Sequence, residues 1–319
     1  MRIVVLDRPL EKPGELDWSG LNALGEVTLY DRSAPDQVLE RIKDAELVLL
    51  NKAQMTAETL QACPDLRFIS IIGTGYNTVD VEAAAARGIP VANVPSYGSE
   101  AISQHAMALL LEITNHVAHH DAEVRKLRCT GPYDWCFWDY PSIELANKTM
   151  GIIGLGRIGQ NTARLAKAFG MYVVAYDANP NLSLMGIAEY VSLDELYARA
   201  DVICLHCPLF AETQNMINHK SIAKMKDGVI LINNSRGQLV VEADLAEALH
   251  SGKIYAAGLD TVAHEPIEAD NPLLCAPNVF FTPHISWAAL ECRRRLLETA
   301  IDNVRAFING VPQNIVNGL

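Results

Sequence analysis

Basic residues and long hydrophobic runs are both scarce in this sequence. Its 319 residues include 26 Lys and Arg against 38 Asp and Glu, a formal net charge of −12. This acidity disfavours nucleic acid and an anionic membrane surface as partners. Half of the residues are hydrophobic, but no run approaches the ~20 residues that cross a bilayer. We therefore expect a globular chain of about two ordinary domains that does not bind membranes.

Cysteine is sparse, and the N-terminus shows no export signal. The seven Cys are an odd number spread between Cys63 and Cys292, and the first residues enter a strand pattern at once. These features predict reduced thiols and a cytoplasmic location. Cys204 and Cys207 have CxxC spacing without a second such pair. We interpret them as buried core thiols and expect no metal site.

Short apolar segments alternate with helical patterns along nearly the whole chain. This alternation predicts parallel sheets covered by helices. The predicted strands are 2–6, 26–30, 47–50, 68–72, 91–93, 150–153, 172–176, 202–206, 229–233, 256–259 and 279–281. The predicted helices include 35–42, 56–62, a long apolar helix over 99–119, 160–169 and a last helix over 288–308. An aromatic-rich loop, 132–143, follows the long helix. Near the end of this helix lie His116, His119 and His120, which are expected to form a solvated face.

The segment 150–177, MGIIGLGRIGQNTARLAKAFGMYVVAYD, contains a glycine fingerprint inside a complete strand–turn–helix–strand unit. Gly154 allows the tight turn, Gly156 leaves room for a pyrophosphate, and Gly159 lets the helix pack closely on the strand. The N-terminus of the helix adds free N–H groups and partial positive charge for the phosphates. The unit predicts a dinucleotide site.

Asp177, at the end of the second strand of this unit, indicates which dinucleotide is bound. Its carboxylate can accept hydrogen bonds from ribose hydroxyls and would repel a 2′-phosphate. The next residues, Ala178-Asn179-Pro180, include no Arg that could neutralise such a phosphate. NAD is therefore favoured over NADP, the alternative being that Asp177 is only a turn or capping residue.

The position of the fingerprint in mid-chain predicts two α/β domains. Residues 1–98 with 288–319 should form a flavodoxin-like substrate-binding domain, and 99–287 a Rossmann-like NAD-binding domain. Two crossings of the chain would then make a hinge, with a cleft between the parallel-sheet domains. Ligands of such folds bind at the carboxyl ends of the strands.

Polar side chains that follow separate strands of the second domain form a candidate catalytic set. Arg236, Glu265 and His284 each follow a different predicted strand. An Arg fork can bind the carboxylate of a 2-keto acid and polarise its carbonyl. A His can donate the proton that the carbonyl oxygen needs, and a neighbouring carboxylate stabilises the imidazolium. Backbone N–H groups of the glycine-rich turn 73–76, including Thr74, Gly75 and Tyr76, could hold the substrate carboxylate.

The ordered motifs resemble those of the D-isomer-specific 2-hydroxyacid dehydrogenases over almost the whole chain. The matching segments are GLGRIG with Asp177, then LHCPL (205–209), NNSRG (233–237), GLDTVAHEP (258–266) and TPHISWA (282–288). The resemblance implies that Arg236 binds substrate, that Glu265 pairs with the catalytic His284, and that residues 74–76 hold the substrate carboxylate. The implied cofactor contacts are Gly154, Gly156, Arg157, Ile158, Gly159, Asp177, His206, Cys207, Pro208, Thr213, Asp260 and His284.

The resemblance also implies a homodimer and a substrate class. The helix from Ser99 and the aromatic loop with Trp135, Phe137, Trp138 and Tyr140 resemble the dimer arm of the family. Residues 99–105 (SEAISQH) and 284–288 (HISWA) are most similar to the glycerate dehydrogenase, or hydroxypyruvate reductase, branch. Trp287 departs from the small residue that many members carry. The expected reaction interconverts a 2-keto acid and a D-2-hydroxy acid with NAD(H).

The sequence leaves two alternatives open. The substrate could be D-lactate or a broad set of 2-hydroxy acids, since all share the same head group. A member of a different class, an NADH-sensing protein like the corepressors that share this fold, would bind the cofactor and turn over poorly. S-adenosylhomocysteine hydrolase and alanine dehydrogenase are disfavoured by chain length and by the order of Arg, Glu and His.

Overall fold

The structure is a computed structural model that describes residues 1–8, 15–128, 135–184 and 186–319. The chain folds into two compact units, Met1–Gly98 with Ala288–Leu319, and Ser99–Trp287. Cys129 and positions 132–134 of the predicted aromatic loop lie outside the described residues. The predicted assignment of substrate binding to the first unit stays a prediction.

The first unit contains a five-stranded parallel sheet with helices packed on it. Its strands are β1 (Arg2–Val5), β2 (Glu26–Leu29), β3 (Leu47–Leu50), β4 (Phe68–Ile71) and β5 (Val91–Ala92). Their order is β2-β1-β3-β4-β5, the flavodoxin-like order. The helices are α1 (Ser19–Asn22), α2 (Pro35–Ile42), α3 (Ala57–Gln61), α4 (Val81–Ala86) and, from the chain end, α11 (Leu290–Ile308).

The central strands of this sheet are buried throughout because helices cover both faces. All four residues of β3 and all four of β4 are buried. Helix α11 returns from the C-terminal part of the chain and packs on β4. There the Phe68 and Phe307 rings stack at 4.5 Å, and the Ser70 hydroxyl donates to the Ala300 carbonyl at 3.3 Å.

The second unit is a seven-stranded, doubly wound parallel sheet. Its strands are β6 (Thr149–Ile153), β7 (Tyr172–Tyr176), β8 (Glu189–Tyr190), β9 (Val202–Leu205), β10 (Val229–Asn233), β11 (Ile254–Leu259) and β12 (Val279–Phe281). Its helices are α5 (Ser99–Asn115), α6 (Val117–Arg125), α7 (Arg157–Ala168), α8 (Leu193–Arg199), α9 (His219–Ala223) and α10 (Glu242–His250). The order β12-β11-β10-β9-β6-β7-β8 reverses between β6 and β9, so a ligand crevice is expected outside the carboxyl ends of these two strands.

Two apolar cores, one on each face, hold this sheet between its helices. Neighbouring strand residues alternate between the cores, as Ile152 and Ile153 do in β6. Glycines allow the helices to approach closely. A Cβ on Gly151 would lie 2.7 Å from the Leu196 side chain of α8, and one on Gly258 would lie 3.0 Å from Leu109 Cβ in α5.

The predicted long helix over 99–119 is wrong in one respect, because it breaks at His116. This residue has φ +49°, and a left-handed residue cannot continue a right-handed helix. The His116 ring is buried, against the prediction of a solvated face, and stacks on Tyr140 at 4.3 Å. His119 and His120 are half-buried. Within the described parts of the chain, no helix combines the length and apolarity that a membrane span requires.

Candidate active site at the carboxyl edge of the second sheet

The glycine fingerprint lies in the turn between β6 and α7, and each glycine has its own steric reason. Gly154 has φ +96°, and a Cβ there would lie 2.6 Å from the Cys207 backbone nitrogen. A Cβ on Gly159 would lie 2.2 Å from the Gly154 carbonyl oxygen. At Gly156 nothing lies within 4 Å of the Cβ position. The turn is therefore packed tightly against the protein backbone at Gly154 and Gly159, and at Gly156 it leaves space for a ligand.

The start of α7 and the end of β7 fit a dinucleotide. The helix begins at Arg157, three residues before its predicted start, and no side chain caps it at Gly156. The first N–H groups of a helix lack intrahelical partners and can bind phosphate. Asp177 Oδ2 accepts a hydrogen bond from the Leu155 N–H at 2.8 Å. This bond holds the carboxylate beside the fingerprint turn, where Asp177 was expected to select the ribose.

The segment after β9 lies against the same turn. The His206 ring is bound through Nε2 to the Thr162 hydroxyl at 2.8 Å and is 3.2 Å from the Cys204 sulfur. Burial lowers the pKa of His206 from 6.5 to about 4, so the ring is neutral at neutral pH. Burial also raises the pKa of the Cys207 thiol to about 11. Cys204 and Cys207 are buried thiols, in line with their interpretation as core residues.

Pro208 and Thr213 belong to one hydrogen-bonded loop after this segment. The Thr213 hydroxyl donates to the Pro208 carbonyl at 2.8 Å and accepts from the Phe210 N–H at 2.8 Å. Pro208 is exposed. The loop is therefore shaped by Thr213, while its predicted contact with the cofactor stays a prediction.

The turn that carries Arg236 is hydrogen-bonded to the segment after β9. The Ser235 hydroxyl donates to the Cys207 carbonyl at 2.8 Å. The buried Asn233 amide closes the turn, donating to the Arg236 carbonyl at 2.9 Å and accepting from the Ser235 N–H at 3.1 Å. The Arg236 guanidinium is exposed and donates to the Ser235 carbonyl at 2.9 Å. The arginine thus extends from a turn with a hydrogen-bonded backbone.

The next loop, 262–271, carries Glu265 and is fixed against this turn. A Cβ on Gly237 would lie 1.9 Å from the Val262 carbonyl carbon, so only glycine fits after Arg236. Glu242, in the first turn of α10, accepts from the Ala263 N–H and from the Asn271 amide, both at 2.8 Å. Glu242 was not predicted as a site residue. No local pattern marks it, because its partners lie 21 and 29 residues away.

Glu265 and His284 form a hydrogen-bonded pair at this edge of the sheet. His284 Nδ1 lies 2.7 Å from Glu265 Oε2, and both side chains are partly exposed. An ionised carboxylate can only accept a hydrogen bond, so the proton between the two groups belongs to Nδ1. Nε2 is then the ring atom that can give or take a second proton. The structure therefore brings together two of the three predicted catalytic residues.

Asp260 shapes the backbone on which His284 is carried. Its Oδ1 accepts from the Ile285 N–H at 2.8 Å and its Oδ2 from the Ser286 N–H at 2.9 Å. The His284 N–H donates to the Asp260 carbonyl at 2.9 Å. The Asp260 side chain has no exposed surface. These bonds make Asp260 a residue that positions the His284 loop, and its predicted contact with the nicotinamide stays a prediction.

Within the first unit, the predicted substrate loop follows β4. The Thr74 hydroxyl donates to the Val94 carbonyl at 2.7 Å, and the Asn93 amide donates to the Thr74 carbonyl at 2.7 Å. Thr74, Gly75 and Tyr76 are exposed. In the described part of the chain, nothing accepts a hydrogen bond from their three backbone N–H groups. The loop therefore presents free donors, as the predicted binding of a carboxylate requires.

Comparison with known proteins identifies the family. Residues 107–286 match the family described as D-isomer specific 2-hydroxyacid dehydrogenase, NAD binding domain. The chain belongs to this 2-hydroxyacid dehydrogenase family. The match confirms the predicted family and the predicted NAD cofactor, and it identifies the chain as an oxidoreductase.

Individual relatives of this dehydrogenase cover nearly the full chain. It is 54% identical over 321 residues to a hydroxypyruvate reductase of Blautia hydrogenotrophica, covering 99% of this chain and 100% of the relative. It is 40% identical over 285 residues to a glycerate dehydrogenase of Methylorubrum extorquens, covering 88% of each. A solved structure, the TT0316 protein of Thermus thermophilus, has a TM-score of 0.87 at 34% identity, covering 99% of this chain and 100% of that one. The predicted fold class, two parallel-sheet α/β domains, is confirmed.

Proposed function

We propose that this dehydrogenase catalyses the NADH-dependent reduction of hydroxypyruvate to D-glycerate and the reverse oxidation. The Glu265–His284 pair, at the carboxyl edge of a dinucleotide-binding sheet, is the observation that carries the chemistry. The similarity to a hydroxypyruvate reductase and to a glycerate dehydrogenase supports the choice of substrate. Another small 2-keto acid is the second candidate, because the groups described bind only the head group that such acids share.

The residues proposed to hold the cofactor lie along one edge of the second sheet. Gly156 and the N-terminus of α7 would receive the pyrophosphate, and Asp177 the adenosine ribose. The remaining proposed contacts are Gly154, Arg157, Ile158, Gly159, His206, Cys207, Pro208, Thr213, Asp260 and His284. When bound, NADH supplies the hydride that reduces the 2-keto carbon.

The protein's own groups bind the substrate and move one proton. The free N–H groups of Thr74, Gly75 and Tyr76 and the Arg236 guanidinium would bind the carboxylate, and Arg236 would also polarise the 2-oxo group. In the reductive direction, protonated His284 donates its Nε2 proton to the 2-oxo oxygen. Glu265 holds the ring through Nδ1 and balances the imidazolium charge. In the oxidative direction neutral Nε2 takes the hydroxyl proton.

The proposed oligomer is a homodimer, and the proposed location is the cytoplasm. Trp135 and Trp138 are 74% and 71% exposed, and large aromatic surfaces of this kind favour burial against a partner. The six described cysteines are free thiols, as expected in a reducing compartment. Light scattering of wild type and a Trp135→Ser/Trp138→Ser variant tests the dimer, and an unchanged mass would contradict the role of these tryptophans.

The direct test is turnover of NADH with a panel of 2-keto acids, hydroxypyruvate among them. We expect hydroxypyruvate to have the highest kcat/KM of the panel. His284→Ala should lower kcat about 10²- to 10⁴-fold, the usual contribution of a positioned acid, with NADH binding retained. His219→Ala, at an exposed histidine of α9, is the matched control. Full turnover by His284→Ala would refute the assignment, and inactivity of the wild type with every acid would favour the NADH-sensing alternative.

A further inference from the structure

A second histidine, His105, is connected to the His284 loop through a chain of hydrogen bonds. His105 lies in α5, and its Nε2 is 3.0 Å from the Thr282 hydroxyl oxygen. That hydroxyl is 2.6 Å from Asp260 Oδ1. His105 Nε2 and Asp260 Oδ1 are themselves 3.7 Å apart. Two side chains, one from α5 and one from the segment after β12, thus meet at the buried carboxylate of Asp260, which follows β11.

The number of available protons fixes the direction of each bond. The Asp260 carboxylate accepts at Oδ1 and Oδ2 and has no proton to give. The Thr282 hydroxyl has a single proton, which it donates to Oδ1 over 2.6 Å. The His105–Thr282 bond must then use a proton on His105 Nε2. The relay runs from the His105 ring to the threonine hydroxyl and from there to the carboxylate.

The orientation of this carboxylate decides the shape of the His284 loop. Its two oxygens also receive the N–H groups of Ile285 and Ser286, which flank the histidine on its C-terminal side. His284 has φ +55°, a conformation that costs about 1 kcal/mol or more outside glycine. A rotation of the Asp260 carboxylate would release both N–H groups, and the left-handed residue would lose the contacts that stabilise it.

We propose that His105 and Thr282 are positioning residues for His284. Their hydrogen bonds hold the Asp260 carboxylate in one orientation. The carboxylate in turn holds the backbone of the His284 loop, and this places the His284 ring beside Glu265. The proposal rests on the proposed function, in which His284 is the proton donor. Neither residue was predicted as a site residue, although each lies in a segment that resembles the family, 99–105 and 282–288.

Paired substitutions separate the hydrogen bonds from the volume of the side chains. Thr282→Val removes the hydroxyl at nearly constant size, whereas Thr282→Ser keeps it. His105→Leu removes the donor, whereas the Nε2 amide of His105→Gln can replace it. Thr299→Val, at a half-buried threonine of α11 in the other unit, is the control for loss of a hydroxyl.

We expect kcat for hydroxypyruvate to fall about ten-fold in Thr282→Val and in His105→Leu, as for loss of one hydrogen bond to a charged group. KM and NADH binding should change by less than about two-fold, since neither His105 nor Thr282 is a proposed contact of the substrate or the cofactor. Thr282→Ser and His105→Gln should recover most of the turnover. A structural defect without a positioning role would instead affect both members of a pair and the cofactor affinity.

Hydrogen exchange of the free protein gives a readout that does not require activity. The amides of Ile285 and Ser286 should exchange faster in Thr282→Val and regain their protection in Thr282→Ser. The proposal would be overturned if these amides were equally protected in Thr282→Val and Thr282→Ser and the kcat of Thr282→Val were that of the wild type. It would also be overturned if kcat fell equally in the two variants. A wild type that reduces no 2-keto acid would refute the proposed function instead, and the exchange result would still decide the relay.

Discussion

Acid sensitivity at His206 offers a quantitative test of the site's electrostatics. The ring contacts Thr162 and Cys204, and burial lowers its pKa from 6.5 to about 4. The unfolded chain therefore takes up a proton before the folded protein does. Stability is highest above the unfolded pKa and falls as the pH decreases from about 6.5 towards 4, because the unfolded state binds more protons there.

The size of the effect follows from the two pKa values. Near pH 7.5 both states are neutral at His206, and the residue contributes almost no pH dependence. At about pH 5 the unfolded state is largely protonated and the folded state is not, which costs about 2 kcal/mol of unfolding free energy. The loss would approach about 3 kcal/mol near pH 4.

His206→Gln removes the titrating group and retains an amide that can bond to the Thr162 hydroxyl. Urea unfolding of the cofactor-free protein, followed by circular dichroism between about pH 7.5 and 5, measures the difference. The wild type should lose about 2 kcal/mol more than the variant over this range. His219→Gln, at an exposed histidine, should follow the wild type. Parallel curves for wild type and His206→Gln would refute the argument.

Three further changes test the site. Glu265→Gln removes the carboxylate that lies 2.7 Å from His284 Nδ1, so the reductive pH–rate profile should move to lower pH; an unchanged profile would contradict the pair. Asp177→Ala should raise the NADPH-to-NADH ratio of kcat/KM at least about ten-fold, and a wild type that already prefers NADPH would show the cofactor assignment to be wrong. Trp287→Phe removes the indole N–H that donates to the His284 carbonyl at 2.8 Å. We expect kcat to fall about five-fold and NADH affinity, measured by fluorescence titration, to stay constant. A wild-type kcat would exclude a role of this hydrogen bond in positioning His284.

The features that the sequence alone determined are those set by neighbouring residues. The strand–turn–helix–strand unit, the three glycines of its turn and the acid at the end of its second strand all lie within 28 residues. Their spacing reflects local backbone geometry and sterics, which a single segment contains in full. The alternation of strands and helices likewise predicted parallel sheets, because hydrophobic periodicity is a property of each segment.

The break at His116 depended on the tertiary structure. The apolar pattern of the long helix continues past this residue, so periodicity alone predicts an unbroken helix. What accompanies the break is a buried ring stacked on Tyr140, 24 residues further along the chain. The gain from such a packed contact can outweigh helix propensity, which is worth less than about 1 kcal/mol per residue.

The arrangement around His284 was likewise decided by tertiary structure. His105 meets Thr282 across 177 residues, and Asp260 meets Ser286 across 26. Such contacts depend on the order of the strands in the sheet and on which helix covers it. The hydrophobic periodicity of a single segment determines neither of these. The sequence could therefore identify the residue types at the strand ends, while their hydrogen-bond partners depended on how the sheet was assembled.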